Sequence, residues 1–204
     1  MFRANLDILF PSIRSAFHHS AISGVSLDGI ARVKISDEEQ KRVYNACEAL
    51  YKLPIGFEYS ARTVQQIQAR ALSERWDVVF VDYMQLMTDG SKGSRYETVT
   101  AISQGLQQLA HNNNILVIAL SQLSRAQKKA DGQEQKPTLA NLRESGQIEQ
   151  DADAVMLISL TDCNDKQSGR YVQLAKNRQG KCCDFTAIFN GDTQTFTWRQ
   201  ENDR

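Results

Sequence analysis

The chain has 204 residues, with 24 Lys+Arg against 24 Asp+Glu, so its formal net charge is zero. That balance excludes a wholly basic nucleic-acid coat and an acidic solvating tail, while leaving room for a local basic loop. At 41% hydrophobic and 24% charged residues, the composition is that of one ordinary globular domain and not of a disordered chain.

No apolar run approaches the roughly 18–20 residues a membrane helix needs; the longest runs from Ile115 to Leu120. The first residues carry an early Arg3 but no apolar stretch and no small-residue cleavage site, so no signal peptide is expected. Cys47, Cys163, Cys182 and Cys183 form no CxxC pair. Reduced thiols are therefore expected, in a cytoplasmic protein.

Residues 1–76 read as mostly helical and residues 77–204 as apolar strands alternating with helix patterns, within one domain. Ser36 and Glu39 have capping-box spacing, and Val43, Ala46, Cys47 and Leu50 then recur on one helical face. Leu53-Pro54-Ile55-Gly56 reads as a turn into a short extended piece. Thr63 and Gln66 form a second box, followed by Val64, Ile67 and Ala71 on one face. Val78-Val79-Phe80-Val81 is apolar at every position, which predicts a strand buried on both faces, as in a parallel sheet. A loop follows at Asp89–Ser94, then a helix marked by Val99, Ile102, Leu106 and Leu109, then a second buried strand at Ile115–Leu120. Arg125–Pro137 is polar without periodicity and reads as a mobile loop. Ala154–Leu160 is a third apolar strand. Tyr171–Ala175, Phe185–Phe189 and Thr195–Trp198 are shorter, with turns at Gln179-Gly180 and at Asn190-Gly191-Asp192, a hairpin signal. The order predicts an α/β core with antiparallel hairpin strands at one edge.

Four constellations could carry chemistry. Asp82 ends the first strand, where open α/β sheets bind ligands and where a carboxylate can hold Mg²⁺ through water; it could equally end a strand and cap a turn. Ser121-Gln122 ends the second strand, and its amide could sense a phosphate or orient a water, or be an ordinary loop residue. Leu142 to Asp153 mixes charges, amides and Gly146 ahead of the third strand. Arg143 could pair with phosphate and Gly146 could admit a close backbone approach, or the run could be a solvated loop. Lys176 and Arg178 project to one side of an extended segment and could reach a phosphate in trans, or form a basic hairpin tip. His18-His19 has no third ligand at metal spacing. Cys182-Cys183, Trp76 and Trp198 read as packing residues.

Taken in order, these motifs resemble the C-terminal motor domain of DnaB-type replicative helicases. The resemblance is carried by Val81-Asp82-Tyr83-Met84-Gln85-Leu86-Met87, Ala119 to Arg125, Leu142 to Asp153, and Lys176-Asn177-Arg178-Gln179-Gly180. It implies a RecA-like, mostly parallel sheet flanked by helices. It implies an ATP-dependent DNA helicase: a hexameric ring holding ATP and Mg²⁺ between subunits and single-stranded DNA in its channel, with primase and a helicase loader as further partners. The implied setting is the cytoplasm of a bacterium or phage-infected host. By position, Asp82 would be the Walker B aspartate on Mg²⁺, and Gln122 would couple the γ-phosphate to the DNA loops. Arg178 would be the arginine finger given to a neighbouring subunit, with Lys176 beside it. Arg143, Glu144 and Gly146 would lie on the DNA loop, and Asp7 would take the place of the family's catalytic glutamate.

The chain departs from the family in having no GxxxxGK[ST] phosphate loop, whose backbone amides and lysine would cradle the phosphates. In the family that segment lies upstream of the stretch matched here. Its strand runs centrally in the sheet, between those corresponding to Ile115–Leu120 and Ala154–Leu160. Its absence predicts two strands without their shared neighbour and weak or absent ATP hydrolysis by the chain alone. A non-catalytic RecA-like module that binds a helicase ring or DNA as a regulator is the alternative expectation. A recombinase or clock-type ATPase fits the Arg143–Asp153 stretch less well.

Overall fold

The computed structural model of the chain describes residues 13–91, 93–123, 136–142, 146–162, 165 and 168–198. Two units are present: Met1–Phe57 with Leu160–Tyr171 and Phe185–Arg204, and Glu58–Ser159 with Val172–Asp184.

The first unit is built on helices α1 (Ile13–Ser23), α2 (Leu27–Ala31) and α3 (Asp37–Tyr51). Ser36 starts α3 as its spacing predicts. Its hydroxyl accepts from the Glu39 amide, and the Glu39 carboxylate accepts from the Ser36 amide at 2.8 Å. That backbone donor, followed by the Ser36 hydroxyl, holds the Glu39 carboxyl below its ordinary range. Val43 and Cys47 meet Ala16, Val25 and Ile30 in the core, and burial pushes the Cys47 thiol up. Ser20 lies wholly buried and donates to the Val25 carbonyl at 2.6 Å. The predicted turn after α3 is present, with the Leu53 amide donating to the Leu50 carbonyl at 3.0 Å, but no strand is formed at residues 55–59.

The second unit carries the parallel strands. Thr63 and Gln66 cap α4 (Val64–Glu74), and Ser94 with Glu97 forms a third capping box that starts α5 (Arg95–Asn113). This last box stood in the sequence at S-x-x-E spacing, inside what reads as loop. Strand β1 (Val78–Val81) pairs in parallel with β2 (Leu116–Ala119), Val78 opposite Leu116 and Val81 opposite Ala119. Parallel neighbours need a crossover, and α5 supplies it. Val79, Val81, Ile102, Leu106 and Leu109 share a core with Val64 and Ala71 of α4. At Gly105 of α5 an added Cβ would lie 3.2 Å from the Val64 side chain, so glycine there lets the two helices approach.

The remaining strands form a second sheet in the order β3 (Ala154–Leu160), β4 (Arg170–Asn177), β5 (Cys183–Asn190), β6 (Thr195–Trp198). The Arg178 amide donates to the Asp153 carbonyl and the Thr161 amide to the Gly169 carbonyl, each at 2.9 Å. These bonds close the two ends of the β3–β4 pair, as an antiparallel ladder requires. The hairpin predicted at Asn190-Gly191 joins β5 to β6 antiparallel, with Asn190 opposite Thr195. Its turn is longer than a two-residue one: the Asn190 side chain accepts from the Asp192 and Thr193 amides, and Gln194 takes the positive φ. Short helix α6 (Gly146–Asp151) precedes β3. Leu142, Val155 and Leu157 form a core there, against which Ile148 of α6 packs.

Burial of β1 and β2 on both faces is not what the structure shows. Their outward face is bare: Phe80 is 69% exposed, Leu116 58% and Ile118 40%. Helices α4 and α5 cover one side of this sheet, and no described element covers the other. On β3, Met156 and Ile158 are likewise exposed. Trp198, expected to pack, is 68% exposed, and Cys182 and Cys183 are exposed too. Trp76 packs against the second unit's core as expected. The thiols of Cys47, Cys182 and Cys183 are free. Cys163 and most of the predicted mobile loop at Arg125–Pro137 lie outside the described residues. No described helix is long and apolar enough to cross a membrane.

Candidate functional site

Parallel pairing in register brings the carboxyl ends of β1 and β2 side by side. Asp82 and Tyr83 leave β1 there, Leu120, Ser121 and Gln122 leave β2, and these five residues line one open concavity of about 380 Å³. The backbone holds the two ends together: the Leu120 amide donates to the Val81 carbonyl and the Met84 amide to the Leu120 carbonyl, each at 2.9 Å. Asp82 and Gln122, singled out in sequence for separate reasons, thus meet at one place. This is where the dipoles and loops of a parallel sheet present ligand-binding groups.

Gln85, which sequence reasoning passed over except as part of a motif, fixes this end of the sheet. Its side-chain Nε2 donates to Ser121 Oγ at 2.9 Å and to the Gln122 carbonyl at 3.3 Å. Its Oε1 accepts from the Gln122 amide at 3.2 Å. Its own carbonyl accepts from Arg95 Nη2 at 2.8 Å. A primary amide can donate and accept at once, so one side chain brackets the Gln122 backbone. The signal available in the sequence was a long amide three residues after the strand-ending aspartate, within reach of the neighbouring strand's end.

Lys176 and Arg178 project to one side of β4, as their spacing predicts, and both reach the carboxyl end of α6. Lys176 Nζ donates to the Glu149 carbonyl and, at 3.3 Å, to that of Gln150. Arg178 donates to the Gln150 carbonyl and pairs with Asp153 at 3.0 Å. Cations there satisfy the open carbonyls of a helix end. The same helix is tied to α5 through Asp151, which is buried. Its carboxylate accepts from Ser103 Oγ and from Gln147 Nε2, each at 2.7 Å. Neither Lys176 nor Arg178 lines the Asp82–Gln122 concavity.

Gly146 opens α6, and among the described residues a Cβ there would meet nothing within 4 Å, so their packing does not demand glycine. Arg143, Glu144 and Asp7 lie outside the described residues. His18 packs edge-on against Phe57, and no metal cluster of three or more His, Cys, Asp or Glu exists among the described residues. Asp82 is the single carboxylate in the lining of the concavity. That fits Mg²⁺, which keeps much of its water and takes one or two carboxylates plus phosphate oxygens, and does not fit a metal held by protein alone.

The sequence profile of the DnaB-like helicase C-terminal domain matches residues 16–198. A probable plasmid replicative DNA helicase of Chlamydia trachomatis serovar L2 is 33% identical over 176 residues, covering 84% of this chain and 38% of that protein. The replicative DNA helicase DnaB of Mycobacterium intracellulare is 34% identical over 171 residues, 79% of this chain and 29% of that protein. Among solved structures, a chain solved as an ATPase domain superposes with a TM-score of 0.82 at 27% identity, covering 92% of this chain and 70% of that one. A DnaB-like replicative helicase studied in its interactions with primase superposes with a TM-score of 0.79 at 27% identity, covering 89% of this chain and 46% of that one. The chain therefore spans less than half the length of these curated relatives.

Proposed function

The chain belongs to the DnaB-like helicase C-terminal domain family, and from that premise we propose that it is part of the ATP-driven motor of a replicative DNA helicase. The observation that carries this reading is the meeting of Asp82 and Gln122 at the carboxyl ends of two paired parallel strands. In it, Asp82 orders Mg²⁺ through water beside the nucleotide phosphates, and bound Mg²⁺ supplies neutralisation of charge on the phosphate oxygens. Gln122 sits one strand over, in the lining of the same concavity, and reports the state of the γ-phosphate. Its backbone is held by Gln85, so a pull on its side chain passes into β2 instead of being absorbed by a loose loop.

Arg178 and Lys176 act on the ATP of a neighbouring subunit in a hexameric ring, stabilising charge as phosphate leaves. Their bonds to the end of α6 then link that phosphate to the segment before the helix, where Arg143 and Glu144, with Gly146 at its start, face single-stranded DNA. Residues 1–76 and 77–204 work as one motor domain, Asp7 takes the part of the family's catalytic glutamate, and primase and a loader are its outside partners in the cytoplasm.

The test is a graft. Residues 16–198 replace the matching segment of the Chlamydia trachomatis helicase, and DNA-stimulated ATP hydrolysis and strand separation are measured. The expected result is turnover that falls roughly 100-fold or more in Asp82→Asn and Arg178→Ala. Turnover indifferent to Asp82 would overturn the reading.

A further inference from the structure

Arg178 follows the end of β4, and Asp153 meets it at both its ends. The Arg178 amide donates to the Asp153 carbonyl at 2.9 Å, and Arg178 Nη1 donates to Asp153 Oδ1 at 3.0 Å. The first bond fixes the backbone from which the side chain leaves, and the second fixes its tip. A further bond, from Nη2 to the Gln150 carbonyl, holds the same tip against the end of α6. All of these residues lie in the second unit. Lys176 is held differently. Among the described residues its Nζ meets the carbonyls of Glu149 and Gln150 and no carboxylate, as a cation does at an ordinary helix end. The other oxygen of Asp153 lies 3.9 Å from His111 Nε2 of α5, beyond hydrogen-bond reach. Among the described residues Arg178 is therefore the one hydrogen-bond partner of this carboxylate.

Stability does not account for this arrangement. Both side chains of the pair are about half exposed, and an ion pair in that setting contributes little to folding. What the arrangement supplies is direction. An arginine side chain left to itself samples many rotamers, and one gripped at backbone and tip does not. A guanidinium also carries more N–H donors than these bonds use, so a held Arg178 keeps donors for a further group that bears oxygen.

We infer that Asp153 is a positioning residue, which sets the Arg178 guanidinium in advance for the phosphate of a nucleotide bound to a neighbouring subunit. Asp153 touches no substrate in this role and acts only through Arg178. A donor already fixed where charge develops loses no rotamer freedom as the phosphate leaves, so it raises kcat and leaves the binding of ATP alone. A latch that had to open before Arg178 could act would do the opposite, since removing Asp153 would then raise turnover. The double grip on backbone and tip favours holding over latching. This inference rests on the action of Arg178 on a neighbour's ATP proposed above.

The experiment has a structural and a kinetic arm. In the purified 204-residue chain, NMR of the guanidinium nitrogens reads rotation at the tip of Arg178. Slow rotation is expected, lost in Asp153→Ala and kept in Asp153→Asn, whose amide oxygen accepts the same bond. The melting temperature is expected to stay unchanged in both variants, because the pair is exposed. For the kinetic arm, residues 16–198 are grafted into the Chlamydia trachomatis helicase, and DNA-stimulated hydrolysis gives kcat and the KM for ATP. Asp153→Ala is expected to lower kcat about 10-fold with KM unchanged, and Asp153→Asn to recover most of that loss. In an Arg178→Ala background Asp153→Ala should have no further effect, because nothing is left to position. A kcat unchanged or raised by Asp153→Ala overturns the inference and leaves the role of Arg178 standing. So does a full further loss in the Arg178→Ala background, or a guanidinium that turns freely in the unaltered chain. A melting temperature that falls together with kcat makes Asp153 a structural residue and also overturns it. Turnover indifferent to Arg178→Ala overturns the role of Arg178 itself, and the inference with it.

Discussion

At the scale of single residues, the site depends on amides and one buried carboxylate as much as on the motif residues. Gln85 holds the Gln122 backbone by one bond accepted and one donated. Gln85→Ala should speed exchange of the Gln122 amide by roughly fivefold, the worth of one ordinary hydrogen bond, with the exchange of core amides such as that of Leu106 unchanged. Asp151 is the larger energetic commitment. Ser103→Ala removes one of its two side-chain donors and should cost about 1–3 kcal/mol in urea unfolding, because a buried carboxylate oxygen then lacks a partner. That Asp82 and Gln122 follow strand ends, and that Lys176 and Arg178 reach the same helix end, was legible in the sequence because strand ends and i, i+2 spacing are local properties. The bonds from Gln85 to Ser121 and from Ser103 to Asp151 were not, because they join residues 36 and 48 positions apart along the chain.

At the scale of elements, helix starts are where the sequence speaks most plainly. Ser36 with Glu39, Thr63 with Gln66, and Ser94 with Glu97 all form reciprocal caps, since both halves of each box lie within one turn. Ser94→Ala should cost about 1 kcal/mol of stability, read as a lowered urea midpoint. Glu58 gives a pH signature ahead of α4. The Ser60 hydroxyl, the Ser60 amide and Arg70 bring its carboxyl from 4.5 to about 2. A carboxylate held lower in the folded than in the unfolded chain stabilises fully above the unfolded value. That stability fades as pH falls from about 4.5 towards 2, and Glu58→Gln should flatten this part of the pH–stability curve. Strand burial was the element-level expectation that did not hold. An unbroken apolar run reports that a strand is built for two covered faces, and it does not report whether both covers lie in the same 204 residues.

At the scale of the whole molecule, the α/β motor architecture, the parallel β1–β2 pair and the antiparallel C-terminal strands were all readable from the alternation of patterns along the chain. What the sequence could only frame was whether the strands Ile115–Leu120 and Ala154–Leu160 come together. Among the described residues β2 and β3 do not share a sheet. The most direct test is Mg-ATP hydrolysis with single-stranded DNA present, by the chain alone and by residues 16–198 grafted into the Chlamydia trachomatis helicase, each beside Asp82→Asn. Background turnover is predicted for the chain alone, and turnover in the graft that falls about a hundredfold or more in Asp82→Asn. Turnover by the chain alone that disappears in Asp82→Asn would contradict this, since the described strand ends would then be a complete phosphate site.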